Sequence, residues 1–179
     1  MPEAANRKMR RLDDIWDEML SEAHRRAIAS GNADAAEYLE LRLRNDRLRA
    51  AAADWLVEIF VEAAAASPLL AGVEIEREEP HQFVHSGTTL TGLSISARLG
   101  VRCVTLQAGW PRRPSDGIIR GAALAIGRIS HRGLPRLNVD LRLVLDRNRP
   151  GWIVVGSDGL PTTVDKEFFG SHFAALVGE

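Results

Sequence analysis

Between Arg98 and Arg149 the chain carries eleven arginines and only three acids, Asp116, Asp140 and Asp146. Guanidinium groups at that density bind phosphates and carboxylates through charge and paired hydrogen bonds. The segment has a local charge of +8, whereas residues 1–66, 67–97 and 150–179 each carry −3. The net charge of −1 therefore conceals a basic segment inside an acidic protein. Such separation implies a polyanion partner, an acidic protein partner, or compensation within the fold.

A polyanion would be contacted by Arg112, Arg113, Arg128, Arg132, Arg136 and Arg142. Trp110 is the only aromatic residue in the segment, so no platform for base stacking is expected. No helix-turn-helix, zinc-finger or RNA-recognition pattern accompanies it. Nucleic-acid binding, if this is the use, is expected to be weakly sequence-specific and steeply salt-dependent. Alternatively the arginines face acidic helices, in the same subunit or in another copy. The stretch Gly109 to Gly117 packs Trp110, two prolines and two arginines between expected strands. It reads either as a connection with Trp110 anchored in the core or as a rigid recognition loop.

Other chemistry is weaker. No two glycines are spaced two apart, so the dinucleotide Gly-x-Gly is absent, and neither Lys8 nor Lys166 follows a glycine as a P-loop requires. Serine and histidine are adjacent at His85-Ser86, Ser130-His131 and Ser171-His172, but neighbours diverge on either regular element and cannot pair as nucleophile and base. His81 and His85 follow Pro80 and precede Gly87, which favours extended chain. Four residues of strand span about 13 Å, too far for two ligands of one zinc. No metal site and no cofactor are expected. Asp54, Glu58 and Glu62 line one helix face where burial is expected, and they would then need cations from the arginine segment. Paired with Asp14, Glu18 and Glu22, they also suggest a divalent-metal hydrolase. Cys103, the single cysteine, reads as a buried sheet residue in a reducing compartment.

These groups need elements to hold them. Residues 8–29 carry Met9, Leu12, Trp16, Met19 and Ala23 at helical spacing, and Ser30-Gly31-Asn32 closes that helix. A second helix opens at Asp34, with Glu37 completing a capping box, and nothing breaks it before Ser67-Pro68. Its length of about 48 Å exceeds what a compact chain of this size easily hides. Leu41, Leu48 and Trp55 recur at seven residues, and Asn45, Ala52 and Ile59 form the companion row. The six make a short oligomer seam with a polar position in it.

From Gly72 the period changes to two. Leu93 to Leu99, Val104 to Ala108 and Leu137 to Leu145 alternate apolar with polar, and Trp152 to Val155 follows a turn at Asp146 to Gly151. Residues 118–130 fit a strand better than a helix, because Gly121 and Gly127 penalise a helix interior. A helix at 165–177 presents Phe168, Phe169, His172, Phe173 and Leu176.

The expected architecture is α+β: an N-terminal antiparallel helical pair, a mostly antiparallel sheet of five to seven strands, and a C-terminal helix. A helical module at 1–67 is expected to oligomerise, and a β module at 72–179 to carry the capping helix. The 45% hydrophobic content suits a globular protein, and no apolar stretch is long enough to cross a membrane. The chain reads as cytoplasmic and bacterial. The expected function is a non-catalytic, homo-oligomeric interaction module, with polyanion binding and acidic-helix hydrolysis as the alternatives.

Overall fold

The computed structural model describes the backbone of residues 2–156 and 158–178, with side chains from Asp13 onward except Leu69 and Ser157. Met9 and Leu12 of the expected helical stripe, and the cations at residues 7–11, lie outside the described side chains. Helix α1 spans Pro2–Ala29 and α2 spans Ala33–Ala66. Seven strands follow: β1 Glu74–His85, β2 Thr88–Leu99, β3 Arg102–Trp110, β4 Ala125–His131, β5 Val139–Asp146, β6 Arg149–Val155 and β7 Pro161–Thr163. Helix α3, Lys166–Val177, closes the chain. The chain divides into two compact units at Ala51/Ala52, inside α2.

The first unit, residues 1–51, contains α1 and the first half of α2. Gly31 at positive φ makes the reversal between them, and Asn32 caps α2 through its side chain to the Ala35 amide. The two helices touch through small and apolar residues, with Ala27 and Leu43 buried. Asp17, midway along α1, and Arg47 of α2 fasten the two helices with hydrogen bonds of 2.8 and 3.0 Å.

The second unit, residues 52–179, is built on one antiparallel sheet in the order β1-β2-β3-β4-β5-β6-β7. Tight turns explain the β1–β2, β2–β3 and β5–β6 pairings, since a short reversal leaves the next strand nowhere to go but alongside. Ser86-Gly87 and Arg147-Asn148 both hold two successive positive-φ residues, the conformation that matches hairpin twist. Alternation then sorts the side chains. Leu93, Ile95, Ala97, Val104, Leu106, Ala108, Ile129, Leu141, Leu143 and Trp152 are buried on one face. The second half of α2 and α3 cover that face, with Phe60 edge-on to Phe169 and Phe173 at 5.4 and 5.0 Å between ring centroids. Trp152 donates its indole N–H to the Ala52 carbonyl at 2.9 Å. Asp165 caps α3 by accepting from the Phe168 amide.

Three expectations need correction. Residues 118–124 are not strand; the chain joins the ladder only at Ala125, and Gly121 and Ala122 both sit at positive φ, which no strand accommodates. The run beginning at Leu137 enters the sheet at Val139, because Pro135–Leu137 form a single 3-10 turn. Asp54, Glu58 and Glu62 are exposed, so they need no buried cation; Asp54 meets Arg77 at 3.4 Å and Glu62 meets Lys166 at 3.9 Å. The arginine segment supplies neither partner.

Candidate functional site

The face of the sheet opposite the helices collects the polar side chains. Strand register aligns Glu78, Ser94, Gln107, Arg128 and Asp140 in one row across β1 to β5. Ser96, Thr105 and Ser130 form the next row, a line of hydroxyls across β2 to β4. On the other side of the row, Gly92 pairs with Gly109, leaving a stretch without side chains. A Cβ on Gly92 would overlap the Ala108 carbonyl oxygen and the Gly109 Cα, so the two strands approach too closely there for any other residue.

The β1–β2 hairpin adds imidazoles to this face. The β1 register shifts between Glu78 and His81, where the Glu79-Pro80 peptide is cis, and His81, Phe83 and His85 then share the polar side. His81 Nδ1 lies 2.9 Å from the Glu78 carboxylate and its Nε2 lies 2.7 Å from the Gln107 side-chain nitrogen. An Nδ1–H donated to Glu78 leaves the Nε2 lone pair to accept from the Gln107 amide. Arg128 donates from Nε to Asp140 at 2.9 Å, and its Nη2 lies 3.5 Å from His85 Nδ1. Phe83 joins Leu90, Ile126, Ala123 and Ile119 in a small apolar cluster beneath the connection from β3 to β4. Thr88 ties that connection down by donating to the Ile118 carbonyl at 3.2 Å.

The arginines and Trp110 separate into three groups. Trp110 is buried, and Arg112 is buried against it with its guanidinium carbon 4.0 Å from the indole centroid. Arg112 Nε also donates to the Thr91 carbonyl at 3.4 Å. Neither residue offers surface to a partner, because the indole fills the core and the guanidinium is spent on the loop's own anchorage. Asp116 accepts from the Arg112 and Arg113 amides at 3.0 and 2.9 Å, which closes the loop on itself. Arg128 is paired with Asp140. Arg113, Arg132, Arg136 and Arg142 are exposed and have no acidic partner among the described residues. Arg120, Arg147 and Arg149 share that condition.

The six seam residues also divide. In the first unit Leu41 is 55% exposed while Asn45 and Leu48 are half-buried. In the second unit Ala52 and Ile59 are buried and Trp55 is 42% exposed. The seam is therefore not a uniformly open stripe; Trp152 and the sheet have taken its second half.

A second polar pair lies inside the second unit. His131 on β4 and His172 on α3 are both buried, with His131 Nε2 and His172 Nδ1 2.7 Å apart and the rings stacked at 5.0 Å. Burial pushes the His172 imidazole down to about 4, with His131 adding repulsion, and burial lowers His131 too. Both are held neutral, so one nitrogen donates and the other accepts.

Sequence reading weighed His81 and His85 only as a zinc pair and missed that Gln107, Arg128 and Asp140 are their neighbours, because it had no register with which to align them. Alternation alone gave the face of each residue within its strand, and that was the only available signal. Among the described residues no serine, threonine or cysteine side chain hydrogen-bonds a histidine, and the Cys103 Sγ lies 3.7 Å from Thr105 Oγ1. No group of three or more metal-ligating side chains gathers among the described residues. No helix among them is long and apolar enough to cross a membrane. Comparisons with protein-family models, with curated proteins and with solved structures found no match for this chain.

Proposed function

We propose that the protein is a self-assembling interaction module whose first unit pairs with the same unit of a second copy. One observation carries this reading. Ile15, Met19, Ile28, Tyr38 and Leu41, all in residues 1–51, are 52%, 56%, 60%, 57% and 55% exposed. Isolated exposed apolar residues are ordinary, but five large ones on one helical pair leave apolar area for a partner to cover.

Geometry supports a second hairpin as that cover. Two antiparallel helices share one line of contact, occupied here by Ala27, Leu43 and their neighbours. Met19 follows Ile15 at i+4, and Leu41 follows Tyr38 at i+3, so each helix keeps an apolar pair outside that line. A two-fold pairing of hairpins into four helices is the simplest closed arrangement that covers such pairs on both helices. Asn45, in the companion row between Leu41 and Leu48, would fix the register, as a polar position does in a helical seam.

Sedimentation of the full chain between about 1 and 100 μM tests this directly. A dimer expected for the natural protein should dissociate in Met19→Glu/Leu41→Glu, with helical circular dichroism kept. A monomer at every concentration removes the proposal.

A further inference from the structure

We infer that the sheet's polar face binds the phosphate backbone of a nucleic-acid duplex around Arg120, Arg128 and Arg142. This does not depend on self-assembly, since all three residues belong to the second unit.

The argument starts from uncompensated charge. Arg142 projects from β5 on the polar face, opposite Ile126 of β4 and Ile153 of β6. Its Nη1 reaches the β3–β4 connection, where a Cβ on Gly121 would lie only 3.1 Å away. Arg120 immediately precedes that glycine and is exposed. Arg128 stands one row from Arg142, its Nη2 beside His85. The Arg128 and Arg142 guanidiniums and the His85 imidazole thus share this part of the face, with Arg120 beside it in the chain, and the described structure supplies them one carboxylate, Asp140. That carboxylate is itself half exposed and already bonded to Arg128. The other acids of the same face stand away from this group: Glu74, Glu76 and Glu78 on β1 at the sheet's edge, where Glu78 is bonded to His81, and Asp146 at the end of β5, opposite Arg149.

Arginine forks suit phosphate oxygens, and mutual repulsion among them is relieved when an anion binds. Ser96, Thr105 and Ser130 continue the surface with hydroxyl donors, and phosphate positioning uses such groups. A duplex fits better than a single strand. Trp110 is buried and Phe83 lies in the apolar cluster stacked near His81, so no free aromatic ring is offered for base stacking. A lipid surface fits less well, because Ile118 is the one strongly exposed apolar residue of the neighbouring loop.

Fluorescence anisotropy of a labelled duplex of about 20 base pairs, titrated with the full chain in low salt, is the test. Binding should weaken with salt with a log–log slope of about −3, as three neutralised phosphates require. Arg120→Glu/Arg142→Glu should weaken it about tenfold to a hundredfold. Asp140→Asn, which releases Arg128, should strengthen it severalfold. Arg25→Glu/Arg44→Glu, an equal charge change in the first unit, should leave it within about twofold. All four positions are exposed, and circular dichroism verifies folding. Absence of binding at low salt overturns the inference, as does an equal loss in the Arg25/Arg44 control. Binding to anionic lipid vesicles but not to the duplex overturns it as well.

Discussion

His131 and His172 form a buried imidazole pair, Nε2 to Nδ1 at 2.7 Å, joining β4 to α3. The pair is stable only while both rings are neutral, because a proton on either would be buried without a carboxylate partner in the described contacts. His172 titrates near 4 when folded, against 6.5 when free. The unfolded chain therefore binds a proton that the folded chain refuses. Stability from this site is complete above pH 6.5 and is lost as pH falls from 6.5 toward 4. The loss is on the order of 1–2 kcal/mol after solvent screening. Urea midpoints measured at pH 7.5 and pH 5 should differ in the natural protein and differ less in His172→Phe. An identical pH dependence in the variant contradicts this assignment.

Trp152 holds the sheet to the second half of α2 through its bond to the Ala52 carbonyl. Phenylalanine at 152 would keep most of the buried area and remove the second hydrogen bond to a carbonyl that also serves the α2 backbone. The expected cost is about 0.5–1.5 kcal/mol, read as a lowered urea midpoint without change in slope. Wild-type stability would mean that the indole bond contributes nothing beyond the area that phenylalanine also buries.

Gly92 and Gly109 face one another across β2 and β3 but should respond unequally to alanine. At Gly92 the new methyl would enter backbone atoms of β3, which have no rotamer with which to yield. Gly92→Ala should cost about 3 kcal/mol or more. At Gly109 the nearest atoms are 3.0 to 3.2 Å away, so a small backbone shift is enough and the loss should be smaller. Thermal melts of both variants decide the order.

Asp17 and Arg47 join the two helices of the first unit. The Arg47 hydrogen bonds hold the Asp17 carboxylate below its ordinary range. Both side chains are largely in water, so Asp17→Asn should change stability by less than about 1 kcal/mol. Any loss should shrink further in high salt. A large, salt-independent loss would mean that the pair is shielded in a way the exposed geometry does not provide.

Local rules were sufficient for most of the architecture. Helical spacing marked α1 and α2, Gly31 marked the reversal, and alternation marked the strands around Leu93, Leu106 and Leu141. These signals are carried by neighbours in sequence, so no tertiary information is needed to read them. Residues 118–124 misled because glycine and alanine describe a crowded turn as well as a strand, and only the positive φ at Gly121 and Ala122 separates the two.

Pairing across strands was a different matter. The charge imbalance at Arg98–Arg149 follows from composition alone, but its distribution does not. Arg112 went inward against Trp110, Arg128 went to Asp140, and Arg142 stayed in solvent, although all three read alike as contacts for a polyanion. The fates of Arg128 and Arg142 depend on register, because a ladder aligns residues from strands far apart in sequence and a shift of one reverses every face. For the same reason His81 met Gln107 and His131 met His172 with nothing local to announce either contact. Sequence by itself determined which segments fold into which elements and where charge accumulates. Only the tertiary structure decided which charges are spent on the fold and which remain for a partner, because that partition is set by contacts between strands and helices rather than along the chain.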